Sequence, residues 1–217
     1  KYYYFYFMSF QEKTLQVAKE VQKMFPKYIL EIDSKGKDFK TGTMIFKVKS
    51  SDLISLLKVL SKHVDFQFDV LRDISVVDNP SKPERFEINY FLLSVRFASS
   101  ICIKLTCNEN TPIPSITDLY PSANWMEREA WDMYGIYFYN HPNLRRILTD
   151  YGFEGHPLRK DFPLSGFVEV RYDEESKRVL VEPVELSQEF RSFDFASPWD
   201  LSEELKMKEI NLSDEKN

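Results

Sequence analysis

Glycine is scarce in this 217-residue chain, with only 6, and there are just 2 cysteines and 3 histidines. Each shortage excludes a chemistry. Neither GxGxxG nor GxxxxGK(S/T) occurs, so a glycine-rich phosphate cradle is absent. No GxSxG elbow and no Cys–His arrangement marks a nucleophile. There is no CxxC, and neither His141 nor His156 has a Cys or a second His at ligand spacing. That argues against a metal centre and against a Cys-ligated iron–sulfur cluster. Cys102 and Cys107 lie five apart in an extended run, which puts them on opposite faces of a strand, so they read as small buried hydrophobes. Such sparse cysteine suits a reducing compartment. No apolar run approaches the roughly 20 residues that span a bilayer. The opening KYYYFYFMSF is aromatic, unlike a secretory core or an Arg- and Ser-rich transit pattern, and has too few basic residues for a strong interfacial anchor. No basic stripe suggests nucleic acid.

Hydrophobic residues make up 43% of the sequence, enough for one domain with an extension. Charge is unevenly placed. Residues 1–163 carry 22 Lys or Arg and 20 Asp or Glu, whereas 164–217 carry 7 and 14, a net of −7. The acidic end is either a solvated tail or complementary to a basic partner.

In sequence order, Ser9 and Glu12 have capping-box spacing, Leu15, Ala18, Val21 and Phe25 share a helical face, and Pro26 stops that helix. Residues 28–33 alternate as a strand, SKGKD turns, and Met44, Phe46 and Val48 form a second strand. Ser51 or Asp52 can cap a helix whose apolar stripe is Leu53, Leu56, Leu57 and Leu60. Phe66, Phe68 and Val70 open a third strand reaching Val77; Phe86, Ile88, Tyr90 and Leu92 form a fourth reaching toward Phe97; a turn at 98–100 leads to a fifth, ICIKLTC. The order α-β-β-α-β-β-β predicts an α+β fold: a small, mostly antiparallel sheet with helices on one face, followed by an extended, non-globular C-terminal arm. A third helix follows, with Ser122 as N-cap and Gly135 beyond its end. The expected organisation is an aromatic extension (1–8), the α+β domain with its closing helix (9–135), an extended docking arm (136–200) with a hairpin within 167–186, and a charged tail (201–217).

The densest stretch is 127–163, EREAWDMYGIYFYNHPNLRRILTDYGFEGHPLRKDFP. Arg128 and Asp132 are spaced to pair along the helix, while Glu127 and Glu129 point apart and read as solvated or Arg-paired. Arg145, Arg146, Arg159 and Lys160 could bind an anion, or pair with Asp150, Glu154 and Asp161 or with a partner's carboxylates. With no catalytic set, enrichment in Trp, Tyr and Arg points to an interface. An independent anion-binding or other interaction module through Arg145, Arg146 and Arg159 is the alternative.

The run ERE-AW-D-MY, then His141 and LRRIL, resembles the signature of the 30-kilodalton family of respiratory complex I, proton-pumping NADH:ubiquinone oxidoreductase, whose members are also called subunit 9 or iron–sulfur protein 3. TDYGFEGHPLRKDFPLSGFVEVRYDEESKRVLVEPVELSQEFRSFDFASPW is similar to the family's mitochondrial and alphaproteobacterial branch. The likeness is dense over 120–200, looser over 10–119 and absent from both ends. It implies a core peripheral-arm scaffold subunit beside the quinone module, packed on the large hydrogenase-like subunit and its iron–sulfur neighbours. It implies no cofactor in this chain, with FMN and iron–sulfur clusters in partner subunits, and an enzyme only as part of the assembly. The implied place is the matrix side of the mitochondrial inner membrane, or the cytoplasmic side of a bacterial membrane. The signature and interface positions it implies are Glu127, Arg128, Glu129, Trp131, Asp132, His141, Arg145 and Arg146. They continue through Asp150, Tyr151, Phe153, His156, Arg159, Lys160, Asp161 and Phe162 to Phe190, Phe193 and Trp199.

Overall fold

The computed structural model of the protein describes residues 10–33 and 44–193, so Ser9, the SKGKD turn and Trp199 lie outside the described residues. Helix α1 (Phe10–Met24) turns Val17, Ala18 and Val21 inward. It ends ahead of Pro26, which has no N–H to continue the ladder. Strands β1 (Ile29–Asp33) and β2 (Met44–Val48) pair antiparallel. A 3₁₀ turn (Ser50–Asp52) then leads into α2 (Leu53–Lys62), which buries all four leucines of its stripe.

The third strand starts later than its aromatics suggest. β3 spans Val70–Asp78, while Phe66 and Phe68 are fully buried in the turn ahead of it. Gln67 has φ 45°, and the amides of Phe66 and Gln67 bond His63 O while that of Phe68 bonds Leu60 O. These two phenylalanines therefore close the end of α2 rather than alternate along a strand. A bulge between Leu71 and Asp73 resets the alternation so that Leu71 and Ile74 both face the core. β4 (Phe86–Ser94) stops short of Phe97, and the turn occupies 95–98, with Ala98 at φ 45°, before β5 (Ser99–Cys107).

The sheet order is β1-β2-β5-β4-β3, and β2 runs parallel to β5. The other neighbours are antiparallel. The backbone crosses over through α2, and the β3–β4–β5 meander returns with β5 against β2. One face forms the core: Met44 and Phe46 from β2, Phe86 to Leu92 at alternate positions from β4, and Ile101, Ile103, Leu105 and Cys107 from β5. Cys102 is buried on the opposite face of β5, and neither cysteine is bridged. The helices described contribute to the same core, so they cover one side of the sheet.

Beyond the sheet, β6 (Ile113–Pro114) and β7 (Phe138–Tyr139) pair in parallel on either side of α3 (Ala123–Tyr134). Ile136 and Phe138 are core residues, so the compact domain does not end at 135; its unit runs to Gly166. A second unit begins at Phe167. There β8 (Val168–Asp173) and β9 (Arg178–Pro183) form an antiparallel hairpin around residues 174–177.

Leu57 is fully buried on α2, whereas Ile54 on its outer side is 37% exposed. Leu57→Ala is expected to cost about 2–5 kcal/mol in a denaturant titration of the protein. Ile54→Ala should stay below about 1 kcal/mol.

Candidate functional site

The helix α3, ANWMEREAWDMY, buries two acids among its apolar residues: Glu127 and Asp132 are both fully inaccessible. A buried carboxylate without partners is costly, so what meets these two decides the local fold. The helical pairing of Arg128 with Asp132 is not made. The Arg128 guanidinium instead donates to the carbonyls of Arg145 and Arg146, each at 3.1 Å. Asp132 takes a richer set from the loop. Its Oδ2 accepts the successive backbone N–H groups of Ile147, Leu148 and Thr149 at 3.1, 2.8 and 2.9 Å. Its Oδ1 accepts Arg146 Nη1 at 2.8 Å and the Thr149 hydroxyl at 2.6 Å. Burial opposes ionisation, but the hydroxyl and three amides outweigh it and hold the carboxyl well below the usual range.

The end of the same helix is closed by the following segment. A helix leaves its last carbonyls without intrahelical donors. Here His156 Nδ1–H donates to Asp132 O at 2.9 Å, Leu158 N–H to Met133 O at 3.1 Å and Arg159 Nε–H to Tyr134 O at 2.6 Å. Gly135 makes this approach possible. It has φ 78°, and a Cβ there would meet Arg159 Nη2 at 2.5 Å and His156 Nε2 at 2.6 Å. Ser122 stands at the N-cap position with helical backbone, as does Asp52 before α2, and neither makes a cap bond through its side chain. In that conformation the side chain is not aimed at the first free amides.

Glu127 is also not solvated. Its Oε1 accepts Ile116 N–H at 2.8 Å and its Oε2 the Ser115 hydroxyl at 2.6 Å. Burial pushes its carboxyl up to about 7, against the lowering effect of those two donors. His141 Nε2–H donates to Asn124 O at 3.1 Å, and its Nδ1 accepts Asn143 N–H at 3.1 Å.

A third carboxylate centre anchors the end of the loop to the sheet. Arg85 grips Asp78 with two bonds of 2.7 and 2.8 Å, and reaches Asp161 at 3.0 Å and Glu109 at 2.6 Å. Lys160 N–H adds a bond to Asp78 at 2.7 Å, and Arg159 lies 3.5 Å from Glu109. Arg85 holds both Asp78 and Asp161 below the usual carboxylate range. Asp78, Arg85, Glu109, Ser115 and Thr149 were not legible as members of this site. The only sequence signal was that Asp78 and Arg85 flank the two-proline turn, where a hairpin brings them side by side.

Most of the signature residues are thus occupied inside the domain. Arg146 also donates to Gly155 O at 3.0 Å and stands 5.6 Å from the ring centres of Trp131 and Phe153. Phe153 packs on Phe162 at 5.9 Å. Exposed are Glu129, Arg145, Asp150, Tyr151, Lys160 and Asp161, with Phe190 and Phe193 in the second unit. Among the described residues, no group of three or more His, Cys, Asp or Glu side chains is placed to hold a metal ion. No described helix is long and apolar enough to cross a membrane.

This is an α+β domain whose charged loop shapes a surface from within. Residues 46–168 match the family model described as respiratory-chain NADH dehydrogenase, 30 Kd subunit. The chain belongs to that family. It is 55% identical over 194 residues to NADH-ubiquinone oxidoreductase subunit 9 of Reclinomonas americana, covering 89% of this chain and 91% of that one. It is 59% identical over 155 residues to NADH dehydrogenase [ubiquinone] iron-sulfur protein 3 of Beta trigyna, covering 71% and 81%. Its fold resembles part of the membrane-bound sulfane sulfur reductase, an archaeal respiratory membrane complex, with TM-score 0.58 and 24% identity over 70% of this chain and 86% of that one.

Removing the charge from Asp132 leaves the loop's donors facing a poorer acceptor. Asp132→Asn is expected to cost about 3–5 kcal/mol. Because the folded carboxyl is held low, its contribution is present above the ordinary carboxylate range and is lost as pH falls through and below it. The wild-type protein should therefore lose stability below about pH 4 more steeply than Asp132→Asn in denaturant titrations across pH. Gly135→Ala, strained in both backbone and space, should lower the thermal midpoint and expose 156–162 to protease.

Proposed function

We propose that this protein is a structural subunit of proton-pumping NADH:ubiquinone oxidoreductase. In this reading it takes part in electron transfer from NADH to ubiquinone by holding redox-bearing neighbours in position. Its family membership supports the assembly, and one structural observation supports the docking role. Along the hairpin β8–β9, Val170 faces Val181 and Tyr172 faces Val179. Together with Val168 these five side chains are all more than half exposed, at 53–66%. The opposite face carries Arg171, which grips Glu182 with bonds of 2.6 and 3.0 Å. A two-stranded hairpin with one bare apolar face is marginal by itself and gains stability from a surface laid against it.

The partners in this reading are the large hydrogenase-like subunit of the quinone module and adjacent iron–sulfur subunits. FMN and the clusters reside in those neighbours. The place is the matrix face of the mitochondrial inner membrane or its bacterial equivalent. The net charge of −7 over 164–217 supports a partner surface with basic residues around an apolar strip. The contact residues in this reading are drawn from the exposed ones: Arg145, Asp150, Tyr151, Phe190, Phe193 and the hairpin face. Tyr151 is fully exposed, and Arg191 stands 5.4 Å over the Phe193 ring. Arg146 and Arg159 act indirectly, through the loop they hold.

The test is assembly. Arg145→Glu or paired Val170→Asp and Val181→Asp should weaken incorporation by about tenfold or more per lost anchor. NADH:ubiquinone turnover per assembled complex should stay near wild type. Normal assembly with abolished turnover would sink the scaffold reading, as would failure of the wild-type protein to co-purify with an FMN- and iron–sulfur-containing membrane complex.

A further inference from the structure

The Glu127 environment contains more than a structural contact. Ser115 Oγ lies 2.6 Å from Glu127 Oε2 and 2.9 Å from Thr117 Oγ1, and either hydroxyl of that second pair can be the donor. Ser115 is buried, while Thr117 is partly exposed. A line of two hydroxyls therefore joins an inaccessible carboxyl to a residue that reaches the surface. The line can be satisfied in both polarities. With Glu127 ionised, Thr117 donates to Ser115 and Ser115 donates to the carboxylate. With Glu127 protonated, its O–H donates to Ser115, and Ser115 donates to Thr117. Ile116 N–H bonds the other carboxyl oxygen, at 2.8 Å, in either state.

We propose that Glu127 is a buried, reversible proton-binding site loaded through Ser115 and Thr117. The transfer balances. A surface hydronium gives a proton to Thr117 Oγ1, Thr117 passes its own to Ser115 Oγ, and Ser115 passes its own to Glu127 Oε2. Each hydroxyl ends with one hydrogen, and water is released. The carboxyl loses its charge.

The groups facing Glu127 set what that change does. From the segment after β7, His141 Nε2 lies 3.9 Å from Oε2, with both side chains fully buried. Its N–H is given to Asn124 O, so it does not neutralise the carboxylate through a hydrogen bond. From β4, the Tyr90 hydroxyl is buried without a hydrogen-bond partner, and burial, then Glu127 and Cys107, hold it in its protonated form. Cys107 is kept as a thiol by its own burial. Neither supplies the proton. Proton uptake removes the charge that lies 3.9 Å from His141 Nε2. The site depends on this protein's own residues and stands apart from the assembly reading.

The experiment is carbon-13 NMR of the full-length protein labelled at glutamate Cδ. Glu127 is assigned as the resonance missing in Glu127→Gln. Its midpoint is expected near 7, far above an exposed glutamate at about 4.3. A midpoint below about 6 would overturn the site. Should Glu127→Gln fail to fold, Ser115→Ala identifies the resonance: loss of a donor to the ionised form should move the midpoint further up, and a downward or absent shift counts against the proposal. Thr117→Val should keep the midpoint and slow proton exchange, seen as broadening; an unchanged lineshape would overturn loading through Thr117. Between pH 5 and 8 the wild-type thermal midpoint should fall relative to Glu127→Gln. A carboxyl raised in the folded state contributes stability below its ordinary range and loses it as pH rises through 7.

Discussion

A carboxylate removed from water must find its hydrogen bonds inside the protein, and Asp132 finds five. Three come from consecutive amides, so the backbone at 147–149 has to curl around the oxygen. Arg146, supplying a charge and a further bond, is drawn from the surface into the space between Trp131 and Phe153. Arg128 then fastens the carbonyls just behind it. A segment with almost no hydrophobic period acquires a single shape because one buried charge permits few alternatives. The stretch from His156 to Arg159 is positioned by the complementary need, the bare carbonyls at the helix end.

This arrangement separates residues that shape the surface from residues that form it. Arg146 and Arg159 resemble interface anchors by type, yet Arg146 Nη1 is bound to Asp132 and Gly155 O, and Arg159 Nε to Tyr134 O. Arg145, next in sequence to Arg146, gives only its carbonyl to the interior and leaves its side chain outside. In the second unit the alternation of β8 and β9 does similar sorting by simpler means, with the valines of β8 and β9 and Tyr172 on one face and the Arg171–Glu182 pair beside Leu180 on the other. The first unit holds a loop fixed by hydrogen bonds; the second holds a ribbon whose apolar face is more than half exposed among the described residues.

Much of the fold was legible. Because each period reports which face meets the core, helix and strand periods recovered the three helices, the five strands of the main sheet and the later hairpin in order, but not the short β6–β7 pair. The leucines of α2, the alternation of β4 and β5 and the glycine after α3 needed no other information. Failures came where a local conformation broke the period. Gln67 and Ala98, both at positive φ, moved a strand start and a turn. The parallel β2–β5 contact joins residues more than fifty positions apart, and no connection length announces it.

Periodicity and residue types at fixed spacing are local properties. They were enough for the class of fold and for the residues through which the family is recognised. What the charged residues do was settled only by tertiary contacts. Arg128 and Asp132 are one helical turn apart and could have paired; each instead meets a group that the loop brings close only after folding. Glu127 and Glu129 are two residues apart and chemically alike, but one points into the core beside Ser115 and the other into water. Burial and partner choice set the state of a charge, and both are created by contacts between distant parts of the sequence.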